Sequence, residues 1–153
     1  MVSQNQPQTS DRVARNLQLM KKGDDGFNLR DEAYYEAAHH PDLVAYIMGS
    51  TEPLRGRKAH GAAMQGLYRA FPDIRVDNDY SIQFGSGDWT TVIARVSGTF
   101  TGELVRPDGT VIQGTGKFFE VALTTTARWE DDQMVEEWVF WDTQLMAEQI
   151  GLA

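Results

Sequence analysis

Residues 85–109 read GSGDWTTVIARVSGTFTGELVRPDG. Two compact turn signals, Gly85–Asp88 and Arg106–Gly109, enclose a β-rich run from Trp89 to Glu103. The same punctuation continues on both sides. Ile74–Phe84 forms a run upstream, while Val111–Trp129 and Met134–Asp142, parted by Glu130–Gln133, follow downstream. Consecutive strands joined by short turns predict an antiparallel meander. A strand of about fifteen residues would reach roughly 50 Å, too long to lie flat in a chain of 153 residues. The strands must bend, and Gly98, Gly102, Gly114 and Gly116 mark the places.

Before Pro72 the pattern is helical. Ser10 or Asp11 offers an N-cap to a stripe of Val13, Leu17 and Met20 that Gly23 ends. Asp31–Ala38 predicts a second short helix, Leu43–Met48 a strand, and Arg57–Phe71 a third helix with Ala59, Ala63, Met64, Leu67 and Ala70 in period. Thr143–Ile150 closes the chain as a short helix. Residues 1–9 predict a disordered tail and residues 10–153 a single domain. The economical architecture is α+β: a strongly curved antiparallel sheet with helices packed in its concave face and a pocket between.

Composition narrows the chemistry. Cysteine is absent, which removes disulfides, thiol nucleophiles and thiolate metal sites together. A formal charge of −8 without a Lys/Arg-rich run argues against nucleic acid or an anionic membrane as partner. No window approaches the roughly 18 apolar residues of a membrane span, and the polar start MVSQNQPQTS lacks a signal-peptide core. The expectation is a soluble, cytoplasmic protein.

Order and motifs resemble a known family. Helix, helix, short strand and a helix ending in AFPDIRV (Ala70–Val76) precede GDWTTVIARVSGTFTG (Gly87–Gly102); VEEWVFWDTQLMAEQIG (Val135–Gly151) completes the pattern. Over about residues 10–152 this resembles the SnoaL-like polyketide cyclases of the nuclear transport factor 2-like superfamily. The resemblance implies a cone-shaped half-barrel, a homodimer joined through the outer sheet face, and no metal or organic cofactor. It also implies an acidic general acid/base on the last strand, which matches Asp142. Two positions depart from the family pattern. Phe100 stands where many members have His, and Glu137 stands where His often lies between Glu and Trp.

Alternation on the last run groups Met134, Glu136, Trp138, Phe140 and Asp142 on one face and Val135, Glu137, Val139 and Trp141 on the other. The first face is taken as the pocket, with Tyr46 bounding it, and the second, with Trp141, as the dimer face. Desolvation beside Trp138 and Phe140 would raise the Asp142 carboxyl toward neutrality, as proton shuttling requires. Capping of the following helix is the competing role. Glu136 offers a second carboxylate on that face. Arg95, in an apolar strand, reads as an ion pair with Glu120 or an anchor for an enolate oxygen. His40 is placed at the pocket mouth, against the alternative of a solvated helix end shared with His39. The adjacent His39 and His40 make poor metal geometry, and His60 reads as exposed. The first functional reading is cofactor-independent, proton-transfer (aldol-type) cyclisation of a small apolar, polyketide-like carbonyl compound. The alternatives are a non-catalytic ligand-binding or interaction module, or a hydrolase or isomerase using the same pocket.

Overall fold

The β-rich runs become β3 (Arg75–Ser86), β4 (Trp89–Thr99), β7 (Phe118–Glu130) and β8 (Gln133–Trp141). Neighbours in that series pair antiparallel, as the turns required. A computed structural model describes residues 10–153, so the tail expected over residues 1–9 lies outside the described residues. Two of the expected runs are interrupted. The chain leaves the main sheet after Thr99, makes a separate hairpin of β5 (Glu103–Val105) and β6 (Val111–Gln113), and returns as β7. The bend is steric. A Cβ at Gly102 would overlap the Arg69 carbonyl oxygen at the end of α3 (Arg57–Ala70), and only glycine permits that approach.

Helix α1 (Asp11–Leu29) begins at Ser10, whose hydroxyl accepts from the Val13 N–H at 3.2 Å. It does not stop at Gly23 but continues to Arg30, which closes it in the left-handed conformation, φ 58°. Close packing explains the difference. α2 (Glu32–Ala38) folds back so tightly that a Cβ on Gly26 would overlap the Tyr34 side chain. Tertiary contact overrides the poor helix propensity of GDDG.

α2 ends at Ala38 as expected, but His39 and His40, read as a helix end, already belong to β1 (His39–Ile47), which starts four residues ahead of the expected Leu43 and has β2 (Leu54–Arg55) at its edge. β1 lies parallel to β8, so the six-stranded sheet, ordered β2-β1-β8-β7-β4-β3, is mixed rather than antiparallel throughout. No hairpin joins β1 to β8, so turn chemistry does not fix their relative direction. β1 also enters through a bulge: it advances from His39 to Val44 while β8 advances from Met134 to Glu136. Pro41, which has no N–H for the ladder, occupies that bulge.

Helices cover one face of the curved sheet. Phe71, Phe100 and Phe119 are fully buried there, with ring centroids 5.3 Å apart for Phe71–Phe100 and 5.0 Å for Phe71–Phe119. A second cluster gathers Met20, Leu43, Ala45, Val92 and Trp129. The Trp129 indole is satisfied by donating to Thr90 Oγ1 at 2.8 Å. On the outer face the register aligns two cross-strand rows. One is Phe84, Thr91, Thr126, Trp138 and Tyr46; the other is Ile82, Ile93, Thr124 and Phe140. No helix among the described residues is long and apolar enough to cross a membrane.

Candidate functional site

A cavity of about 580 Å³ lies between the N-terminal helices and the inner face of the sheet. Met20, Phe27, Met64, Leu67 and Leu123 make most of its wall apolar. β8 contributes Met134, Glu137, Val139 and Trp141. From Glu136 onward the pocket face of β8 is therefore the one opposite to that expected; Met134, ahead of the register shift between Arg128 and Trp129, is the one residue of the expected face that turns inward. Alternation separates two faces of a strand but does not say which is inward, and the paired aromatics pointed the wrong way.

The expected pocket residues sit elsewhere. Trp138 stacks on Tyr46 across the β1–β8 pair, with centroids 3.8 Å apart and planes 8° from parallel, and Phe140 stands beside them, 41% exposed. Both rings belong to the outer rows, and Glu136, outside those rows, accepts from the Trp138 indole at 2.8 Å and faces Arg128. Arg95 does pair with Glu120, at 2.5 Å, but the pair is an exposed outer-face contact and no anchor in the cavity. His40 turns away to accept from the Asp42 N–H at 3.1 Å. Asp142 is exposed and caps α4 (Thr143–Gln149), accepting from the Leu145 N–H at 2.9 Å. None of these seven residues lines the cavity. Asp142→Ala is expected to cost about 1 kcal/mol through the lost cap, and Asp142→Asn close to nothing. Urea midpoints of the two variants check this; equal losses would contradict it.

Two polar groups line the cavity instead: Asp24, which the sequence did not single out, and a cluster of His39, His60 and Glu137, in which His60, expected to be exposed, is buried. The first is Asp24, one turn beyond Met20 on α1. Its Oδ2 accepts from the Tyr80 hydroxyl at 2.5 Å, and Oδ1 has no hydrogen-bond partner among the described residues. Burial pushes this carboxyl up to about 7. The Tyr80 hydrogen bond opposes the shift, while the charges of Glu137 and Asp25 add to it. The folded protein thus holds a proton on Asp24 where the unfolded chain, with its ordinary value of 3.8, does not. Stability from this group is full below 3.8 and is lost as pH rises through 7. Buried His60, pushed down to about 4, tilts the profile the other way below its ordinary 6.5. The difference between wild type and Asp24→Asn isolates the carboxyl. The variant is expected to gain relative stability from pH 4 to pH 8, and a flat difference would contradict the assignment.

The second group joins three elements. His39 enters from the β1 bulge, His60 from the first turns of α3, and Glu137 from β8; all three are buried, at 6%, 5% and 7% exposure. His60 Nε2 stands 3.2 Å from Glu137 Oε2. Hydrogen-bond accounting fixes the tautomers. Tyr35 donates its only hydroxyl proton to the Arg57 carbonyl at 2.9 Å, so its oxygen must accept from His60 Nδ1, also 2.9 Å away. The neutral His60 ring then carries a lone pair on Nε2. His39 Nδ1 faces the Tyr35 carbonyl at 2.7 Å and must donate to it, which leaves its Nε2 unprotonated too. Burial lowers both imidazoles and keeps them neutral, and it raises Glu137. Glu137 Oε2 is buried without a hydrogen-bond partner, and so is the Trp141 indole nitrogen.

Three comparisons bear on this arrangement. The sequence model of the SnoaL-like polyketide cyclase family matches residues 17–150. No curated protein sequence matches the chain. Among solved structures, AclR from Streptomyces galilaeus, a candidate hydroxylase, is 21% identical with a TM-score of 0.76 over 92% of this chain and 83% of its own. IdmH from Streptomyces antibioticus, a candidate polyketide cyclase, is 22% identical with a TM-score of 0.73, covering 89% and 98%. A candidate SnoaL-like polyketide cyclase from Jannaschia sp. CCS1 is 19% identical with a TM-score of 0.76, covering 94% and 96%. These likenesses establish the curved α+β cone as the shared fold.

Proposed function

The chain belongs to the SnoaL-like polyketide cyclase family, and from that footing we propose that it closes a ring in a small, largely apolar carbonyl compound by proton transfer within the helix-side cavity. Asp24 carries the reading. It is a carboxyl on the wall of an apolar cavity, oriented through one oxygen by Tyr80, with the other oxygen left for a ligand. A general base works best when its pKa lies near the operating pH, and burial holds Asp24 there.

In the proposed step, Asp24 removes a proton from a carbon flanked by two carbonyls, and the C–H electron pair moves to one carbonyl oxygen. The enolate carbon then bonds to the carbon of a further carbonyl elsewhere in the same molecule, whose C=O electron pair moves to its oxygen. The alkoxide so formed takes the proton back from Asp24. The acceptor cluster of His39, His60 and Glu137 shares a proton that the enolate oxygen can draw on. No organic cofactor takes part in this scheme, and a cytoplasmic location goes with it.

The test is ketone-to-enol conversion of 2-acetyl-1-tetralone, an apolar bicyclic 1,3-diketone, followed by ultraviolet absorbance. Acceleration over buffer by the full chain is expected. Binding without acceleration would favour the non-catalytic alternative.

We further propose that the outer rows containing Trp138, Phe140 and Tyr46 join two copies of the chain. Phe84 and Phe140 are 60% and 41% exposed, and a continuous apolar and threonine surface across five strands suits a self-complementary contact. In this proposal the dimer face carries Trp138, whereas alternation in the sequence predicts Trp141 there. Light scattering is expected to return twice 17.2 kDa and to fall to one chain in Phe140→Glu. A single-chain mass for the wild type would contradict the dimer.

A further inference from the structure

We infer that His39, His60 and Glu137 form a binding site for one divalent first-row transition-metal ion. One nitrogen from each imidazole and a carboxylate oxygen lie within 4.8 Å of one another. The hydrogen-bond accounting leaves all three as acceptors pointed at a shared space. Both Nδ1 hydrogens are committed to Tyr35, and Glu137 Oε2 has no partner. Three buried acceptors this close together are costly unless a proton or a metal cation lies between them. Ligands about 2.0–2.1 Å from a tetrahedral ion stand roughly 3.3 Å apart, and His60 Nε2 and Glu137 Oε2 are 3.2 Å apart.

The surroundings support the assignment. Metal-bound histidines commonly donate their other nitrogen to a carbonyl or hydroxyl, which fixes the ring and its tautomer. Tyr35 does this for both rings, through its carbonyl for His39 and its hydroxyl for His60, and its ring stacks on His39 with centroids 4.3 Å apart. The Arg57 guanidinium is turned to the carbonyls of Glu36 and His39. Two neutral imidazoles and one carboxylate suit zinc, cobalt or ferrous iron rather than calcium or magnesium. All three ligands line the cavity, so the open coordination positions face its contents. An ion there would take a carbonyl oxygen and stabilise an enolate in place of the shared proton.

This inference stands on the cluster alone and does not depend on Asp24 or on turnover, so its test uses the metal without substrate. The full chain, stripped with chelator, is titrated with Co²⁺ and followed by visible absorption and calorimetry. One ion per chain, with ligand-field bands in the visible, is expected. Glu137→Gln and His60→Gln should each weaken binding at least tenfold. Tyr35→Phe, which removes only an orienting group, should weaken it about 10- to 100-fold. His40→Ala, one residue from the site but turned away from it, should bind as wild type does. Circular dichroism checks that each variant is folded. Absence of stoichiometric binding to the wild type would overturn the inference. So would binding that folded Glu137→Gln retains in full, or binding that His40→Ala abolishes.

Discussion

Asp24→Asn is expected to slow the enolisation of 2-acetyl-1-tetralone by about 10²–10⁴-fold, the usual weight of general acid–base catalysis. Asparagine keeps the shape and can still accept the Tyr80 hydrogen bond, but it cannot take a proton. Because the native carboxyl is held near pH 7 by burial, the same substitution should stabilise the fold at pH 8. Lost activity with gained stability is the signature of a group kept for chemistry at a cost to the fold. A structural carboxyl would show the opposite pairing, with turnover preserved and stability reduced. Asp142→Asn is the matched control and should leave the rate unchanged, since that side chain is occupied with the N–H of Leu145 outside the cavity.

Phe71→Ala is expected to destabilise the protein by about 3–5 kcal/mol, the range for truncating a fully buried aromatic. The ring lies at the end of α3 and packs against both Phe100 and Phe119, so neighbouring side chains have little room to fill the gap. Against a total stability of roughly 5–15 kcal/mol, the loss should appear as a large drop in the urea midpoint. α3 carries His60, Met64 and Leu67 to the cavity, so ligand affinity should fall with it. A loss below about 1 kcal/mol would mean that the three-ring cluster does not anchor α3 to the sheet.

The four long strands were legible because turn chemistry is local: Gly85–Asp88 and Glu130–Gln133 specify hairpins without reference to the rest of the chain. The place of β1 was not legible, since its partner β8 is distant in sequence and pairs with it in parallel. The GDDG segment illustrates a second limit. Two glycines and two aspartates read as a helix stop, yet Gly26 permits the close approach of α2, and Asp24 faces the cavity within an unbroken helix. The inversion of β8 follows from symmetry, because alternation defines two faces and leaves their orientation to packing. One signal for the cluster was present. The family resemblance leads one to expect a histidine at the position of Glu137, and Glu137 is the β8 residue that faces His60. His39 and His60 could not be joined from sequence, since they meet only after the β1 bulge and the start of α3 converge over β8.

The central claim is that the ligand site lies on the inner face of β8. The four tryptophans make it directly testable through their indole ¹⁵N–¹H resonances during titration with 2-acetyl-1-tetralone. Trp141 lines the cavity, whereas Trp138 lies on the outer face stacked on Tyr46. A saturable shift of the Trp141 indole, with Trp138 unmoved, is the predicted result. A shift of Trp138 with Trp141 unchanged would contradict the account.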